Sequence, residues 1–371
     1  MKTIYLYLIK ELLLVAVGTV GTLTFLLVLA NVFKDVFDLL LLDVNIWLIC
    51  QMVLLLIPFT LVFTLPWGVL MAVLIVFGRF SGDQELLALK ASGIGLLPII
   101  APAILMGALF SGVAFVNNGW VAPQARTQFK NLFHEIATSN PMALFTEKTP
   151  IDRFPNMRLW FAEKEGNRVV DVHIWQLDND GTPRRVLRAD HGRIEPRFDE
   201  QRIVLHLYNA KQEERDTANP AAANLTRPGA MAEELPLEIS LRGFFNRDEN
   251  VRPSQMTLGE LQSFISNPLT ILRDNNPTVS LTELQKRISL SVACFTFVLV
   301  GIPLAIQTQR RETSVGVALS LLIVIGYYFL TSTAEALKKE AAFYPEVIIW
   351  LPNILFQTLG VAMIAYVNFR K

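Results

Sequence analysis

Six long apolar stretches occupy the two ends of the chain and leave a polar region between them. None of them contains Asp, Glu, Lys, Arg or His; they cover residues 12–33, 44–78, 91–125, 288–309, 313–334 and 347–369. A helix needs about 20 apolar residues to cross a hydrocarbon core of about 30 Å, so each stretch is long enough to span a membrane. The pattern therefore predicts an α-helical membrane protein with six transmembrane helices, three before and three after the polar region.

The polar region shows the pattern of short β-strands. Residues 157–163 and 168–177 alternate roughly between apolar and polar positions on either side of a polar turn that contains Gly166. Two further runs, at residues 184–190 and 202–210, follow with the same period of two, which is typical of strands with one buried face. The region is therefore predicted to fold as an inserted all-β, jelly-roll-like domain.

These patterns also predict the division of the chain and the start of two helices. The three predicted parts are residues 1–125 with three spans, residues 126–256 with the β domain, and residues 257–371 with a linker helix and three spans. Inside the β domain, the Ala/Asn/Pro-rich stretch 217–232 is predicted to be a loop. Thr257 with Glu260 and Ser280 with Glu283 match the capping box, which places a helix start at each pair.

Charge is concentrated in the polar region, and its distribution predicts the orientation of the chain. Of 66 charged residues, 45 lie between positions 126 and 287, and the formal net charge is zero. A neutral chain gives no indication of a nucleic-acid partner. With a cytoplasmic N-terminus, the short cytoplasmic segments carry eight Lys and Arg residues against three in the short outer loops. The positive-inside rule therefore predicts cytoplasmic N- and C-termini and a β domain outside the cytoplasm.

The motifs of common catalytic sites are missing from the sequence. It contains neither a Walker phosphate loop nor a G-x-S-x-G elbow, and Cys50 and Cys294 have no C-x-x-C partner. The four histidines are scattered without metal-ligand spacing, and the apolar windows contain no carboxylate, histidine, lysine or arginine. We therefore expect no catalytic residue, metal site or cofactor. A transporter without intramembrane carboxylates or histidines is expected to take its energy from a partner chain.

The connection between the second and third spans carries the most informative short segment. Residues 78–93 read GRFSGDQELLALKASG and predict a short helix over about residues 81–92, capped by Ser81 or Asp83. Its apolar side is formed by Leu86, Leu87, Ala88 and Leu89, and its first turn carries Asp83 and Glu85. One interpretation is a solvated turn on the membrane surface. The other is a coupling helix that docks into a cytoplasmic ATPase and pairs Glu85 with a basic residue there.

This segment resembles the coupling helix of the lipopolysaccharide export permeases, the YjgP/YjgQ family with its members LptF and LptG. The resemblance continues in E-L-Q-K-R-I at residues 283–288, G-I-P-L-A-I at residues 301–306, the Arg310/Arg311 loop and W-L-P-N at residues 350–353. The arrangement of three spans, external domain and three spans is also similar, so the resemblance covers nearly the whole chain.

The resemblance implies a transport subunit of the bacterial inner membrane rather than an enzyme. In this family, two homologous permease chains form a cavity and recruit a dimer of a cytoplasmic ABC ATPase. Lipopolysaccharide enters through gates lined by spans one and five, and it passes by way of the periplasmic β domains to periplasmic bridge proteins. Asp83, Glu85, Leu86 and Leu89 then belong to the ATPase-coupling helix. Small and polar residues favour close helix approach in span one, and Gly316 and Gly326 have a similar pattern in span five, although ordinary packing explains these glycines equally well.

An anionic glycolipid as cargo requires cations near the outer ends of the spans. The candidate lipid-binding residues are Lys34, Arg126, Lys130 and Arg287. Lys34 at the end of span one is the first choice, although snorkelling of its side chain explains its position equally well. Arg287 has the alternative of pairing with Glu283 one helical turn earlier.

Two other function classes fit parts of the pattern. One is the permease of another ATP-driven lipid or lipoprotein exporter. The other is a membrane-anchored sensor or scaffold whose β domain binds a partner, in which case the connection between spans two and three has no coupling role.

Overall fold

The computed structural model describes residues 2–35, 46–139, 147–148, 150–154, 157–178, 183–197, 202–215, 226–240, 253–266, 277–308, 313–338 and 340–369. Its helices are α1 Lys2–Asp35, α2 Ile46–Gly82, α3 Glu85–Ala91, α4 Leu96–Val116, α5 Ala122–Ser139, α6 Leu258–Ser266, α7 Pro277–Thr308, α8 Thr313–Ala336, α9 Pro345–Ile348 and α10 Leu351–Phe369. A π-helical turn, Asn117–Val121, joins α4 to α5, and short 3₁₀ turns cover Pro253–Gln255 and Ala341–Phe343. The strands are β1 Ile151–Phe154, β2 Met157–Glu165, β3 Arg168–Leu177, β4 Pro183–Arg197, β5 Arg202–Arg215 and β6 Thr226–Ser240.

The prediction of six spans with an inserted β domain is confirmed. The described helices long and apolar enough to cross a membrane cover Lys2–Val32, Ile46–Gly82, Leu96–Phe133, Thr278–Gln307, Gly316–Ala336 and Pro345–Phe369. The sheet lies between the third and the fourth of them in the chain. The chain divides into two compact units: one contains most of the long apolar helices, and the other contains the sheet with the first turn of α2 and the part of α5 from Lys130 onward. The residue boundaries proposed for the three parts of the chain stay predictions.

Helix α7 forms the centre of the helical unit, because glycines of its neighbours and one of its own allow close approach. A Cβ atom on Gly107 of α4 would come within 2.9 Å of Val298, and one on Gly360 of α10 within 2.8 Å of the Leu299 carbonyl. On α7 itself, a Cβ on Gly301 would come within 3.0 Å of α2. Small residues at helix crossings are how membrane helices gain packing contacts, since lipid tails supply no hydrophobic force between helices.

A buried polar cluster ties α7, α8 and α10 together. The Asn353 side chain accepts hydrogen bonds from Thr296 at 2.7 Å and from Tyr327 at 3.2 Å. It also donates to the Ser289 carbonyl at 2.8 Å. Asn353 belongs to the W-L-P-N segment noted in the sequence, and the cluster explains in physical terms why a polar residue sits inside an apolar span.

The antiparallel sheet has the strand order β1-β2-β3-β4-β5-β6, so each strand pairs with its neighbour in sequence. Alternating residues of β2 and β3, such as Leu159, Phe161 and Ile174, are buried in an apolar core. The predicted turn at Gly166 is present, and its φ of 56° is a conformation that glycine adopts without strain.

Two details of the sequence prediction are wrong. Part of the stretch predicted as a loop forms β6, which begins at Thr226; its residues 217–225 lie outside the described part of the chain. Pro228 is tolerated there because β6 is the last strand of the sheet order and edge strands do not need every backbone N–H for pairing.

The second error concerns the start of the fourth span. The capping box of Thr257 and Glu260 is confirmed, since the Thr257 N–H donates to Glu260 at 2.7 Å before α6. Ser280, however, lies inside α7, which begins at Pro277. Proline fits the first turn of a helix because its missing N–H is not needed there, so the helix starts one turn earlier than the box suggested.

Candidate functional site: a cationic pocket and a short connecting helix

The third span changes its helical geometry at the level of the candidate pocket. Two buried asparagines of the π-helical turn hold neighbouring helices: Asn117 donates to the Pro58 carbonyl of α2, and Asn118 donates to the Ser291 hydroxyl of α7, both at 3.0 Å. A π turn adds a residue to the helix and is common at functional sites. Here it fixes the direction in which α5 leaves the span, and therefore the position of Arg126.

A cavity of about 70 Å³ lies between α2, the π turn, α5 and α7. Its lining comprises Phe59, Val62, Phe63, Asn118, Ala122, Pro123, Arg126, Ser254, Glu283, Lys286, Arg287 and Leu290. A site needs on the order of 10–15 Å³ of such volume to hold one water molecule, so the cavity has room for a small polar group. Three cations and one carboxylate in this lining make the cavity suited to an anion.

Arg126 is the lining cation whose charge is left without an ion pair. Its guanidinium lies 4.5 Å from the centre of the Phe59 ring, a cation–π contact that holds the side chain in place. Among the described residues, no carboxylate lies within ion-pair distance of it. Its N–H donors therefore remain available to an anionic group in the cavity, in the geometry that suits phosphate and carboxylate oxygens.

The other two cations of the lining are committed to contacts inside the protein. Lys286 donates to Glu335 of α8 at 2.7 Å and lies 3.7 Å from Glu283. Arg287 is only 6% exposed; it contacts Glu283 at 3.3 Å and donates to the Pro253 carbonyl at 2.9 Å. Its predicted pairing with Glu283 one turn earlier is therefore confirmed. Its role in lipid binding stays a prediction, and these contacts indicate a structural role for its charge.

The remaining candidate lipid-binding residues lie elsewhere on the helices. Lys34 belongs to the last turn of α1, and its side chain lies outside the described part of the structure. Lys130 is exposed on α5, one turn after Arg126. Their contacts with a ligand stay predictions.

The segment predicted as the coupling helix forms α3, which is shorter than expected. Ser81 is still part of α2, where its hydroxyl donates to the Ile306 carbonyl, and Gln84 takes the N-cap position with a φ of 61°. The predicted cap by Ser81 or Asp83 is therefore wrong. Ser81 instead joins the end of α2 to α7, which positions the connection.

The C-terminal end of α3 is fixed by a Schellman motif. The Gly93 N–H donates to the Lys90 carbonyl at 3.0 Å, and the Ile94 N–H donates to the Leu89 carbonyl at 3.2 Å. Gly93 has a φ of 85°, the left-handed conformation that this motif needs and that glycine adopts most easily. Leu89 and Ile94 both pack against the apolar core of the helical unit, as the motif favours.

The two sides of α3 differ in exposure. Leu86 is 5% exposed and, with Leu89, contacts the apolar core. Asp83 and Glu85 are exposed, and so is Leu87, at 63%. The helix is therefore anchored to the spans by Leu86 and Leu89, and it presents a carboxylate and an apolar side chain outward.

The small residues of span one lie on two different faces of α1. Thr19 and Thr24 face α2, where they bond to the Gly68 carbonyl and to the Thr64 hydroxyl at 2.8 Å each. Positions 18 and 21, both glycine, have open space where a side chain would be. In span five, a Cβ atom added at Gly316 would lie 3.7 Å from Leu74 and one added at Gly326 would lie 3.9 Å from Phe356, so packing within the chain does not require glycine at either position.

Sequence reasoning missed the aromatic and amide side of the pocket. Phe59, Phe63 and Asn118 were indistinguishable from other apolar-span residues in the sequence, because their role depends on contacts between helices far apart in the chain. Two features of the sequence could have indicated the pocket: Pro58 in the second apolar stretch, and the adjacent asparagines at positions 117 and 118 in the third.

Comparison with known proteins gives a consistent result over most of the chain. The family "Lipopolysaccharide export system permease LptF/LptG" matches residues 6–366. The lipopolysaccharide export system permease protein LptF of Escherichia coli K12 is 20% identical over 308 residues, which are 81% of this chain and 77% of that protein. LptF of Escherichia coli O157:H7 and LptF of Shigella flexneri are similar to the same extent.

Proposed function

Because the chain belongs to the lipopolysaccharide export system permease LptF/LptG family, and is thus a multi-pass inner-membrane protein, we propose that it is one permease half of an ATP-driven exporter. A homologous second permease chain and a dimer of a cytoplasmic ABC ATPase complete the transporter. The chain extracts lipopolysaccharide from the inner membrane and passes it to periplasmic bridge proteins. Both termini are cytoplasmic and the β domain is periplasmic, in line with the charges of the short loops.

The connection between spans two and three transmits the energy of ATP hydrolysis. Helix α3 is held to the spans by Leu86 and Leu89, so a push on its outer side moves the helices to which it is anchored. Exposed Glu85 and Asp83 supply the charge for pairing with a basic groove, and exposed Leu87 adds an apolar contact. A helix that is anchored on one side and carries exposed charged and apolar side chains on the other meets the physical requirement for such coupling.

The pocket at Arg126 binds an anionic group of the cargo. This assignment is supported by Arg126, which makes no ion pair among the described residues and lines a cavity of about 70 Å³ that has room for a phosphate. Lys34 and Lys130 add positive charge for the headgroup, and Arg287 shapes the pocket wall. The acyl chains lie outside this cavity, between the two permease chains.

The second permease chain and the lateral gate lie at the exposed glycine face of α1. A Cβ atom added at Gly18 or Gly21 would meet nothing within 4 Å beyond the adjoining backbone of α1. On α8, the exposed side chains include Leu321, Leu322 and Phe329. Apolar faces that the chain itself leaves uncovered are where spans one and five meet the partner permease or the entering lipid.

Copurification tests the function as a whole. The tagged chain, purified from detergent-solubilised membranes, is expected to bring down a second six-span permease, a Walker-type ATPase and lipopolysaccharide, identified by mass spectrometry. Glu85→Lys is expected to lose the ATPase and keep the second permease, because only the outer side of α3 changes.

Ala91→Lys, at the other end of α3, is the matched control and is expected to keep the ATPase. If no ATPase copurifies with the unaltered chain even after crosslinking, transport is excluded and the scaffold hypothesis takes its place. If Glu85→Lys keeps the ATPase, α3 is not its docking site.

The assignment of Arg126 is tested by crosslinking to the cargo. A photoreactive amino acid at Val62, in the pocket lining, is expected to crosslink to lipopolysaccharide in membranes. Arg126→Gln should lower the yield about tenfold through the loss of a charge-assisted hydrogen bond. Arg126→Lys should keep part of it.

Lys10→Gln removes an exposed cation of α1 outside the pocket lining and is the control for net charge. Equal losses in Lys10→Gln and Arg126→Gln would show that the assay responds to charge alone. An unchanged yield in Arg126→Gln would remove Arg126 from the site.

A further inference from the structure

One face of the β sheet carries a row of aromatic and cationic side chains. The register aligns Trp160 of β2, His173 of β3, Arg188 of β4, Lys211 of β5 and Met231 of β6. Their neighbours Leu159, Ile174 and Leu187 are buried in the apolar core. Because successive side chains of a strand point to opposite faces, the row lies on the face away from that core.

The aromatic end of this row is a fixed platform. The His173 ring contacts Trp160 at 5.3 Å in a T-shaped arrangement and Trp175 at 5.8 Å in a stacked one. Asp171 lies 3.0 Å from the His173 ring nitrogen and holds the imidazole in place. All three rings are partly exposed, so they form a rigid surface that is open to a ligand.

The cationic end has two like charges directly opposite each other. Arg188 and Lys211 are cross-strand partners, and both side chains are exposed. A like-charge pair in this position destabilises a sheet. Neither side chain makes an ion pair within the part of the chain that the structure describes, so the repulsion is not compensated there. Such a pair is stabilised when an anion binds between the two cations.

We propose that this row, together with Trp175, binds the phosphorylated saccharide portion of a glycolipid in transit. Sugar rings present C–H groups that stack on aromatic rings, and phosphate groups accept charge-assisted hydrogen bonds from Arg and Lys. The platform of Trp160, His173 and Trp175 takes the sugar, and Arg188 with Lys211 takes the phosphate. The identification of the saccharide as part of the exported cargo rests on the proposed function, whereas its chemistry rests on the sheet alone.

The test measures binding of a saccharide that cannot enter the membrane. The full chain in nanodiscs is titrated with the phosphorylated oligosaccharide of deacylated lipopolysaccharide, and binding is followed by calorimetry. The double variant Arg188→Glu/Lys211→Glu is expected to weaken binding about tenfold or more, and Trp160→Ala about tenfold. Trp160→Phe should stay within about threefold of the unaltered chain, because it keeps an aromatic ring.

A second cross-strand pair on the same sheet, Arg168 and Arg193, provides the matched control. Arg168→Glu/Arg193→Glu makes the same change of charge away from Trp160 and Trp175 and should leave binding nearly unchanged. Enzymatically dephosphorylated oligosaccharide should bind the unaltered chain as weakly as the phosphorylated form binds the Arg188/Lys211 variant.

Three results would overturn the proposal. The first is equal loss in the two double variants, which indicates general charge attraction. The second is full competition by inorganic phosphate, which indicates an anion site without a saccharide. The third is absence of saccharide binding with retained binding to phosphatidylglycerol vesicles that Met231→Ser abolishes, which indicates a membrane contact. The assay needs neither an ATPase nor a second permease chain, so it can succeed or fail independently of the export function.

Discussion

At the scale of single residues, Arg126 and Arg287 show how two similar cations of one pocket take different roles. Arg126 has a cation–π contact as its fixed partner and lies half-buried in the cavity wall. Arg287 is buried, and its guanidinium bonds Glu283 and two backbone carbonyls, those of Pro253 and Met256. The sequence shows both as charges near the ends of spans and cannot distinguish a satisfied arginine from a free one.

This difference predicts opposite results for stability. Arg287→Ala should lower the free energy of unfolding by about 3–5 kcal/mol, because it leaves two carbonyl groups without their donor and leaves Glu283 with only the 3.7 Å contact to Lys286. Arg126→Ala should change it by less than about 1 kcal/mol, since no buried partner depends on it. Thermal unfolding of the purified chain in detergent measures both. A smaller loss in Arg287→Ala than in Arg126→Ala would contradict the assignment of structural and binding roles.

At the scale of elements, the connection α3 shows which features of a short helix are readable from a sequence. Its presence between α2 and α4 was predicted, and of the four residues predicted as its apolar side, Leu86 and Leu89 contact the core whereas Leu87 and Ala88 are exposed. Its N-terminus was predicted wrongly because α2 continues through Ser81, whose hydroxyl bonds α7. That contact joins positions 225 residues apart in the chain and is invisible to local pattern analysis.

The Schellman motif at Gly93 gives a prediction about this element. Gly93→Ala should destabilise the end of α3 by about 1 kcal/mol, since alanine is strained at a φ of 85°. Hydrogen exchange measured by mass spectrometry should show faster exchange over residues 88–94. Gly95→Ala is the control, because Gly95 has a φ of −64° and its nearest neighbour would lie 3.7 Å from the added atom. Equal exchange in both variants would mean that the motif does not hold the helix end.

At the scale of the whole molecule, the chain leaves apolar helix faces uncovered that a complete transporter is expected to bury. The window of the fourth span is 78% buried, whereas that of the first is only 28% buried. The other helices of this chain are therefore sufficient to bury most of the central helix α7. The low burial of α1 is what the proposed pairing with a second permease chain requires.

Substitutions at glycines of α1 and α2 are expected to distinguish packing within the chain from assembly with a second chain. Gly18→Leu should not lower the thermal stability of the isolated chain, because a Cβ atom added at this position meets no other part of the chain within 4 Å. The same variant should weaken association with the second permease, measured by native mass spectrometry. Gly68→Ala should instead destabilise the isolated chain, since its Cβ would come within 2.9 Å of the Val20 backbone. A stability loss in Gly18→Leu without loss of assembly would contradict this division.

The sequence by itself determined the six spans, the β insert and the position of the connecting helix. Each of these depends on local periodicity or on the length of an apolar run, and both are properties of consecutive residues. Only the tertiary structure decided that Arg126 makes no ion pair among the described residues, that Asn353 joins three helices, and that Arg188 faces Lys211. These facts depend on which distant residues meet across helices and strands, and a sequence pattern does not contain that information.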